Sequence, residues 1–142
     1  DGVTLSGKWS QGVSTLHGIT SRGFPNAFII QPSQAGFAVN FPSIIGEQAR
    51  HIAYIVAEAM ARQARTVEPS AAAEEAWVQT IIDTSVFNRK FLEECTPGYY
   101  NNEGKPNPMA IRNGSYGKGP IAYTRLLDEW REAGALDGLE LA

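Results

Sequence analysis

The residues Ala27-Phe28-Ile29-Ile30 form a short apolar run, rich in aromatic and β-branched side chains, that reads as a buried strand. A single strand cannot make a sheet, because its backbone donors and acceptors need a neighbour. The rest of the sequence offers few partners. The pattern therefore predicts the end of a larger α/β protein, in which the strand near Phe28 finds its sheet elsewhere.

The stretch QPSQAGFAVNFP, starting at Gln31, is a turn of small and amide side chains. It leads into a helix predicted from about Pro42 to Arg62, because Ile44, Ile45, Gln48, Ile52, Ile55, Val56, Ala59 and Met60 recur at three- and four-residue spacing. Pro42 or Ser43 suits its first turn. Arg65 to Glu68 reads as a short extended piece, and Pro69-Ser70 opens a second helix with Ala73, Ala76, Trp77, Thr80 and Ile81 on one face. A third helical segment is expected from Val86 to Glu94. A final helix begins at Pro120, carries Tyr123, Leu126, Leu127 and Trp130 on one face, and stops before Gly134. Gly138 to Leu141 is a short extended tail. The first 25 residues, with glycines among Ser and Thr, read as turns and short extended pieces lying on something larger.

With 142 residues and 43% hydrophobic content, the chain can bury a sizeable core. Twelve basic against fifteen acidic residues give a net charge of -3, and neither sign forms a run, which argues against a nucleic-acid partner. The longest apolar segment, Ile44 to Met60, is interrupted by Glu47, Gln48, Arg50, His51 and Glu58. It falls short of the roughly 20 apolar residues of a membrane span. Cys95 is the sole cysteine and cannot form an internal disulfide, which fits a reducing compartment and a cytoplasmic location. No basic-then-apolar leader is visible, and a chain opening on Asp1 suggests a beginning that lies elsewhere.

Little in the residues themselves carries covalent chemistry. The turn from Gln31 to Asn40 follows a strand and precedes a helix, where backbone N–H groups and a positive helix end face ligands in open α/β sheets. It reads equally as a tight connection with small residues for packing. There is neither a GxGxxG nor a P-loop. His17 reads as a hydrogen-bonded structural imidazole and His51 as half exposed, and the pair is too sparse to hold a metal. Cys95 reads as a packed or partly exposed thiol, and Glu74-Glu75 as a solvated helix face. The loops ECTPGYYNNEGKPNP, from Glu94, and GSYGKGP, from Gly114, offer tyrosine rings and neutral amides. Such loops wall a cleft, or else lie on the surface with buried tyrosine anchors.

In order, Trp9-x-x-Gly12, Thr15, Gly18 and GFPNAFII resemble the segment that closes the FAD-binding domain of class B flavoprotein monooxygenases, more particularly the Baeyer–Villiger branch. The stretch QPSQAGFAVNFPSIIGEQARHIAYIV, the Glu68 to Trp77 stretch, the YYNNEGKP loop and the ending Tyr123 to Leu139 also fall in that family's order. The resemblance covers essentially the whole chain and implies a C-terminal portion of a longer enzyme. The fold implied is a helix-rich α/β fragment. Residues 1–64 would close an FAD-binding, Rossmann-like domain (strand, turn, long helix), and residues 65–142 would form a helical, loop-rich tail over the cofactor and substrate cleft.

The same resemblance implies FAD and NADPH as cofactors, a ketone and O2 as substrates, and insertion of one oxygen next to the carbonyl. Gly36, Phe37 and Ala38 match substrate-side positions, and Asn40 and Phe41 match positions against the isoalloxazine. Tyr99, Tyr100, Asn101 and Asn102 match a segment packing on the nicotinamide cofactor. Gln31 and Tyr99 depart from residues common in relatives, Gly and Trp respectively. No catalytic residue and no metal ligand falls in this chain, since the branch's arginine lies upstream with both glycine-rich fingerprints. The isolated chain is therefore expected to be inactive, to self-associate through an exposed apolar patch, and to need the upstream FAD and NADPH domains. A nitrogen- or sulfur-oxygenating relative and a non-catalytic interaction module are the alternatives.

Overall fold

The computed structural model describes residues 2–86, 103 and 109–142. After a helical turn α1 (Leu5–Lys8) and a 3₁₀ turn (Trp9–Gln11), the elements are α2 (Phe41–Ala61), β1 (Val67–Pro69), α3 (Ala71–Thr84), α4 (Pro120–Ala133) and β2 (Leu139–Leu141). The predicted third helix, Val86 to Glu94, lies outside the described residues beyond Val86.

Local chemistry sets the helix ends. Pro42 sits in the first turn of α2, where its missing N–H costs nothing. Ser70 caps α3, its hydroxyl accepting from the Ala73 N–H at 3.1 Å. Pro120 opens α4, and Gly134 closes it in the left-handed region at φ 67°. These bounds fall within two residues of the sequence reading.

Ala27 to Ile30, expected as a strand whose sheet lies elsewhere, has no ladder partner among the described residues. The segment is extended, and the Ile29 N–H donates to the Ile19 carbonyl at 2.9 Å. A sheet forms from the two short extended pieces, β1 and β2, paired antiparallel with Val67 opposite Leu141 and Pro69 opposite Leu139. Proline tolerates this place because a two-stranded ribbon is all edge.

Part of the glycine-dense N-terminal region does not lie on the fold but runs through its middle. Ser14 to Ser21 are all buried between the helices. A buried loop needs partners for its backbone. Leu16 and Thr20 pair across a bridge, the Tyr123 hydroxyl donates to the His17 carbonyl at 2.7 Å, and the Thr15 N–H donates to Gln34 Oε1 at 3.0 Å. Gly18 permits the tight turn: its φ is 76°, and a Cβ there would lie 2.7 Å from that of Ala35.

Two apolar clusters meet at this loop. One gathers Leu16, Ala35, Trp77, Ile81, Tyr116, Tyr123 and Leu127; the other gathers Ile19, Ile55, Ala59 and Val67 with Trp130 and Leu141 at its edge. Residues on both sides of position 64 contribute to each cluster. Helix α2 packs on α4 and buries Ile44, Gln48, His51, Ile55 and Ala59. Of the stripe expected there, Met60 and Val56 are exposed. No helix among the described residues is long and apolar enough to cross a membrane.

Candidate functional site

The turn between Gln31 and Phe41 is fixed from below and bare above. Gln34 is fully buried at its base, and the Gln31 carbonyl accepts from Gln48 Nε2 at 2.9 Å. Gly36 is packed onto α4, where a Cβ would fall 2.6 Å from Tyr123 Cδ1 and 3.3 Å from Ile44 Cδ1. Above this base Phe37 is 53%, Val39 104% and Phe41 38% exposed. Four residues later than Gln34 the chain lines an open groove of about 480 Å³ with Ala38, Asn40, Ser43, Ile44, Pro120 and Ile121. Asn40 precedes α2 without capping it, so its amide is free of that duty.

Of the residues singled out in the sequence, Gly36, Phe37, Ala38, Asn40 and Phe41 come together here. Gly36 serves as floor, Phe37 and Phe41 as exposed apolar surface, and Ala38 and Asn40 as groove wall. Tyr99, Asn101 and Asn102, like Tyr100 and Cys95, lie outside the described residues.

A buried polar chain runs behind the turn. Arg131 Nη1 lies 3.2 Å from His51 Nδ1, and His51 Nε2 lies 3.3 Å from His17 Nδ1. Arg131 also binds Asp128 and, at 3.5 Å, Glu47. Indoles flank the imidazoles: Trp77 and Trp130 stand edge-on to His17 at 5.0 and 5.7 Å between centroids. Burial lowers His17 to a pKa of about 4. Burial, then His17 and then the Arg131 charge, lower His51 to about 3. His51, expected half exposed, is fully buried because it faces α4 and the 14–21 loop rather than solvent. Glu74, expected on a solvated face, is also buried, accepting from Lys8 Nζ, Ser21 Oγ and the Arg22 N–H. It anchors the N-terminal region on α3.

The turn itself displays neutral, largely apolar surface at the start of a helix; the charged members of the groove lining, Arg125 and Asp128, come from α4. Such a surface binds and orients a flat or apolar ligand; it does not transfer a proton. The sequence places Tyr123 on the apolar face of the final helix but gives no hint of Gln34 and Arg131. Their positions beneath the turn arise from long-range packing.

No family model matches the chain. It is 50% identical over 140 residues to pentalenolactone D synthase of Streptomyces arenae and 39% identical over 142 residues to Baeyer–Villiger monooxygenase ATR8 of Stachybotrys chlorohalonatus. Both matches take in 99% of this chain, and 24% and 23% of those proteins. Among solved structures, polycyclic ketone monooxygenase from Thermothelomyces thermophila superposes on 95% of the chain with a TM-score of 0.84 and 35% identity, over 22% of its own length. The chain is homologous to part of the Baeyer–Villiger monooxygenases. Cyclohexanone monooxygenase from Rhodococcus sp. Phi1, solved bound to NADP+, matches over 99% of the chain at a TM-score of 0.75 and 27% identity, over 25% of its length. The chain thus spans about a quarter of the length of the monooxygenases it matches. The Baeyer–Villiger likeness extends across both apolar clusters and the turn, which lie within the matched span.

Proposed function

We propose that this chain is the C-terminal part of an FAD- and NADPH-dependent Baeyer–Villiger monooxygenase that inserts one oxygen of O2 next to a ketone carbonyl, giving an ester or lactone. The observation that carries the reading is the turn itself, held rigidly at Gln34 and Gly36 yet presenting Phe37, Val39 and Phe41 outward. In a monomeric domain such a patch is costly, and it is resolved by a ligand or a neighbouring domain. Its neutral side chains, and an uncapped helix start at Asn40, fit the edge of an isoalloxazine and an apolar ketone.

When bound, the flavin, reduced by NADPH, activates oxygen. The residues of this chain position and enclose. Asn40 and Phe41 would lie against the isoalloxazine, and Phe37 and Ala38 would wall the ketone site, with Gly36 granting the close approach. Apolar walls of this kind exclude water from the reacting atoms. Tyr99, Asn101 and Asn102 would pack on the nicotinamide cofactor. In this reading residues 1–64 close the FAD-binding domain and residues 65–142 cover the cleft. We place the enzyme in the cytoplasm.

The test compares two purified proteins. The longer protein containing these residues should be yellow, oxidise NADPH faster when ketone is added, and yield an ester or lactone by mass spectrometry. The 142-residue chain alone should be colourless and inactive. FAD retained by the short chain on gel filtration, or ketone-independent N- or S-oxide formation by the long one, would sink the proposal.

A further inference from the structure

We propose that Gln34 is a positioning residue for the substrate-side turn, setting where Phe37 and Ala38 stand by clamping the turn's base to two separate segments of the chain. Its side chain is fully buried and uses all of its hydrogen-bonding capacity. Oε1 accepts from the Thr15 N–H at 3.0 Å and from Thr15 Oγ1 at 2.6 Å. Nε2 donates to the Val13 carbonyl at 2.8 Å and to the Arg112 carbonyl at 3.0 Å.

The backbone of the same residue repeats the pattern. Its N–H donates to the Gly114 carbonyl at 2.7 Å, and its carbonyl accepts from Trp77 Nε1 at 2.9 Å. One step on, the Ala35 carbonyl accepts from the Tyr116 N–H at 2.9 Å. Six hydrogen bonds at one residue thus tie the turn to the 13–15 loop, the 112–116 segment and α3.

Gln34 also adopts φ 57°, a left-handed conformation that a glutamine does not take by preference. The strain is held by its surroundings, and strain held this way two or three residues from a ligand-facing position is a mark of preorganisation. The partners of the Gln34 amide, Val13, Thr15 and Arg112, are not among the residues lining the groove. Its effect on ligands therefore passes through Gly36, which is trapped against Tyr123, to Phe37 and Ala38. Loosening the clamp would let this face shift, and displacements of an ångström near a reacting centre are felt in rate and coupling.

This inference rests on the reading that the turn faces the ketone site, and the experiment separates the two. In the full-length, FAD-loaded enzyme, three variants are compared by ketone KM, by NADPH oxidation without ketone, and by product formed per NADPH consumed, all per mole of bound FAD. Gln34→Gly keeps the left-handed backbone and removes the clamp. It should raise ketone KM about fivefold and lower product per NADPH at least about twofold, with ketone-free NADPH oxidation little changed. Thr15→Val, which removes the 2.6 Å hydroxyl partner of Gln34 together with the acceptor of the Gly18 N–H at 3.2 Å and leaves the other bonds of Gln34 in place, should move the same two quantities in the same direction by less. A purely structural role would instead lower every rate in step with the folded fraction. Phe37→Ala reports on the turn directly. If it shifts ketone KM while Gln34→Gly and Thr15→Val leave KM and coupling alone, the positioning role is wrong and the placement of the turn stands. If Phe37→Ala also changes nothing, the placement falls and takes this inference with it. Should Gln34→Gly fail to fold, Thr15→Val decides alone.

Discussion

Arg131 Nη1 stands 3.2 Å from His51 Nδ1, and because a guanidinium can only donate, that imidazole nitrogen must accept. His51 then carries its proton on Nε2, which donates to His17 Nδ1 at 3.3 Å. One permanent cation thus fixes the tautomers of two buried imidazoles in series, and a second positive charge in the series would be poorly tolerated.

The first expectation concerns acid. Both histidines are neutral when folded, with pKa values lowered to about 4 and about 3, against about 6.5 in an unfolded chain. Their contribution to stability is complete above pH 6.5 and is lost as pH falls from there through 4, where the unfolded state takes up protons that the folded state refuses. At pH 5 each imidazole should cost on the order of 2 kcal/mol relative to pH 7.5. Urea midpoints measured at the two pH values check this; a midpoint unchanged down to pH 5 would show that the imidazoles gain solvent or partners on protonation.

Two glycine substitutions should differ in severity. At Gly36 an added Cβ meets the Tyr123 ring at 2.6 Å, a side-chain contact, whereas at Gly117 it would lie 1.6 Å from the backbone carbonyl oxygen of Thr84 and 2.4 Å from its carbon, an overlap that only a shift of the main chain at the end of α3 relieves. Gly36→Ala should cost about 1–3 kcal/mol, within the usual range for overpacking, and Gly117→Ala more than that. Thermal melts of the two variants give the ranking directly, and equal melting points would contradict the packing described.

Within the full-length enzyme, Tyr99→Ala should weaken NADPH use by about five- to thirty-fold, a loss on the order of 1–2 kcal/mol, with coupling retained, because a stacking ring is removed. Phe41→Ala should leave NADPH affinity nearly intact and raise the share of NADPH consumed without ester. NADPH oxidation and ester formation measured side by side separate the two phenotypes. A Tyr99→Ala enzyme within about twofold of wild type would make that loop a surface feature.

The isolated chain should expose apolar surface at Phe37, Val39 and Ile121, which is 76% accessible. Concentration-dependent light scattering and binding of an apolar dye are the expected signs, and Val39→Asp with Ile121→Lys should reduce both. A clean monomer at high concentration that binds no dye would contradict this.

Helix limits were legible because they rest on local chemistry: Pro42 and Pro120 as first-turn residues, Ser70 as a cap, Gly134 as a left-handed stop. The turn's composition was legible too, and the resemblance in order of motifs named the family. What the chain order concealed was partnership. Val67 to Pro69 and Leu139 to Leu141 read only as extended pieces, and that they pair with each other depends on which segments meet. Glu74 looked like one of two surface acids until Lys8, the Ser21 hydroxyl and the Arg22 N–H came to it across more than fifty residues. His51 and Gln34 were hidden for the same reason: burial of a polar side chain is decided by distant partners, and nothing in its own neighbourhood announces it.

The pairing of Val67 with Leu141 has a consequence for how the chain acquires its shape. The two strands are 74 positions apart, so a nascent polypeptide can wind α2, α3 and α4 as each emerges but cannot zip the ribbon until Leu139 to Leu141 have been made. The closure entropy of that long segment is met late, by three residue pairs and the apolar cluster beneath them. Until then Val67, Ile19 and Ile55 lack their lid of Leu139 and Leu141. Synthesis of β2, rather than of α4, is thus the event that covers this cluster, and interrupted chains that stop just short of it are the ones a chaperone or a protease would meet half-built.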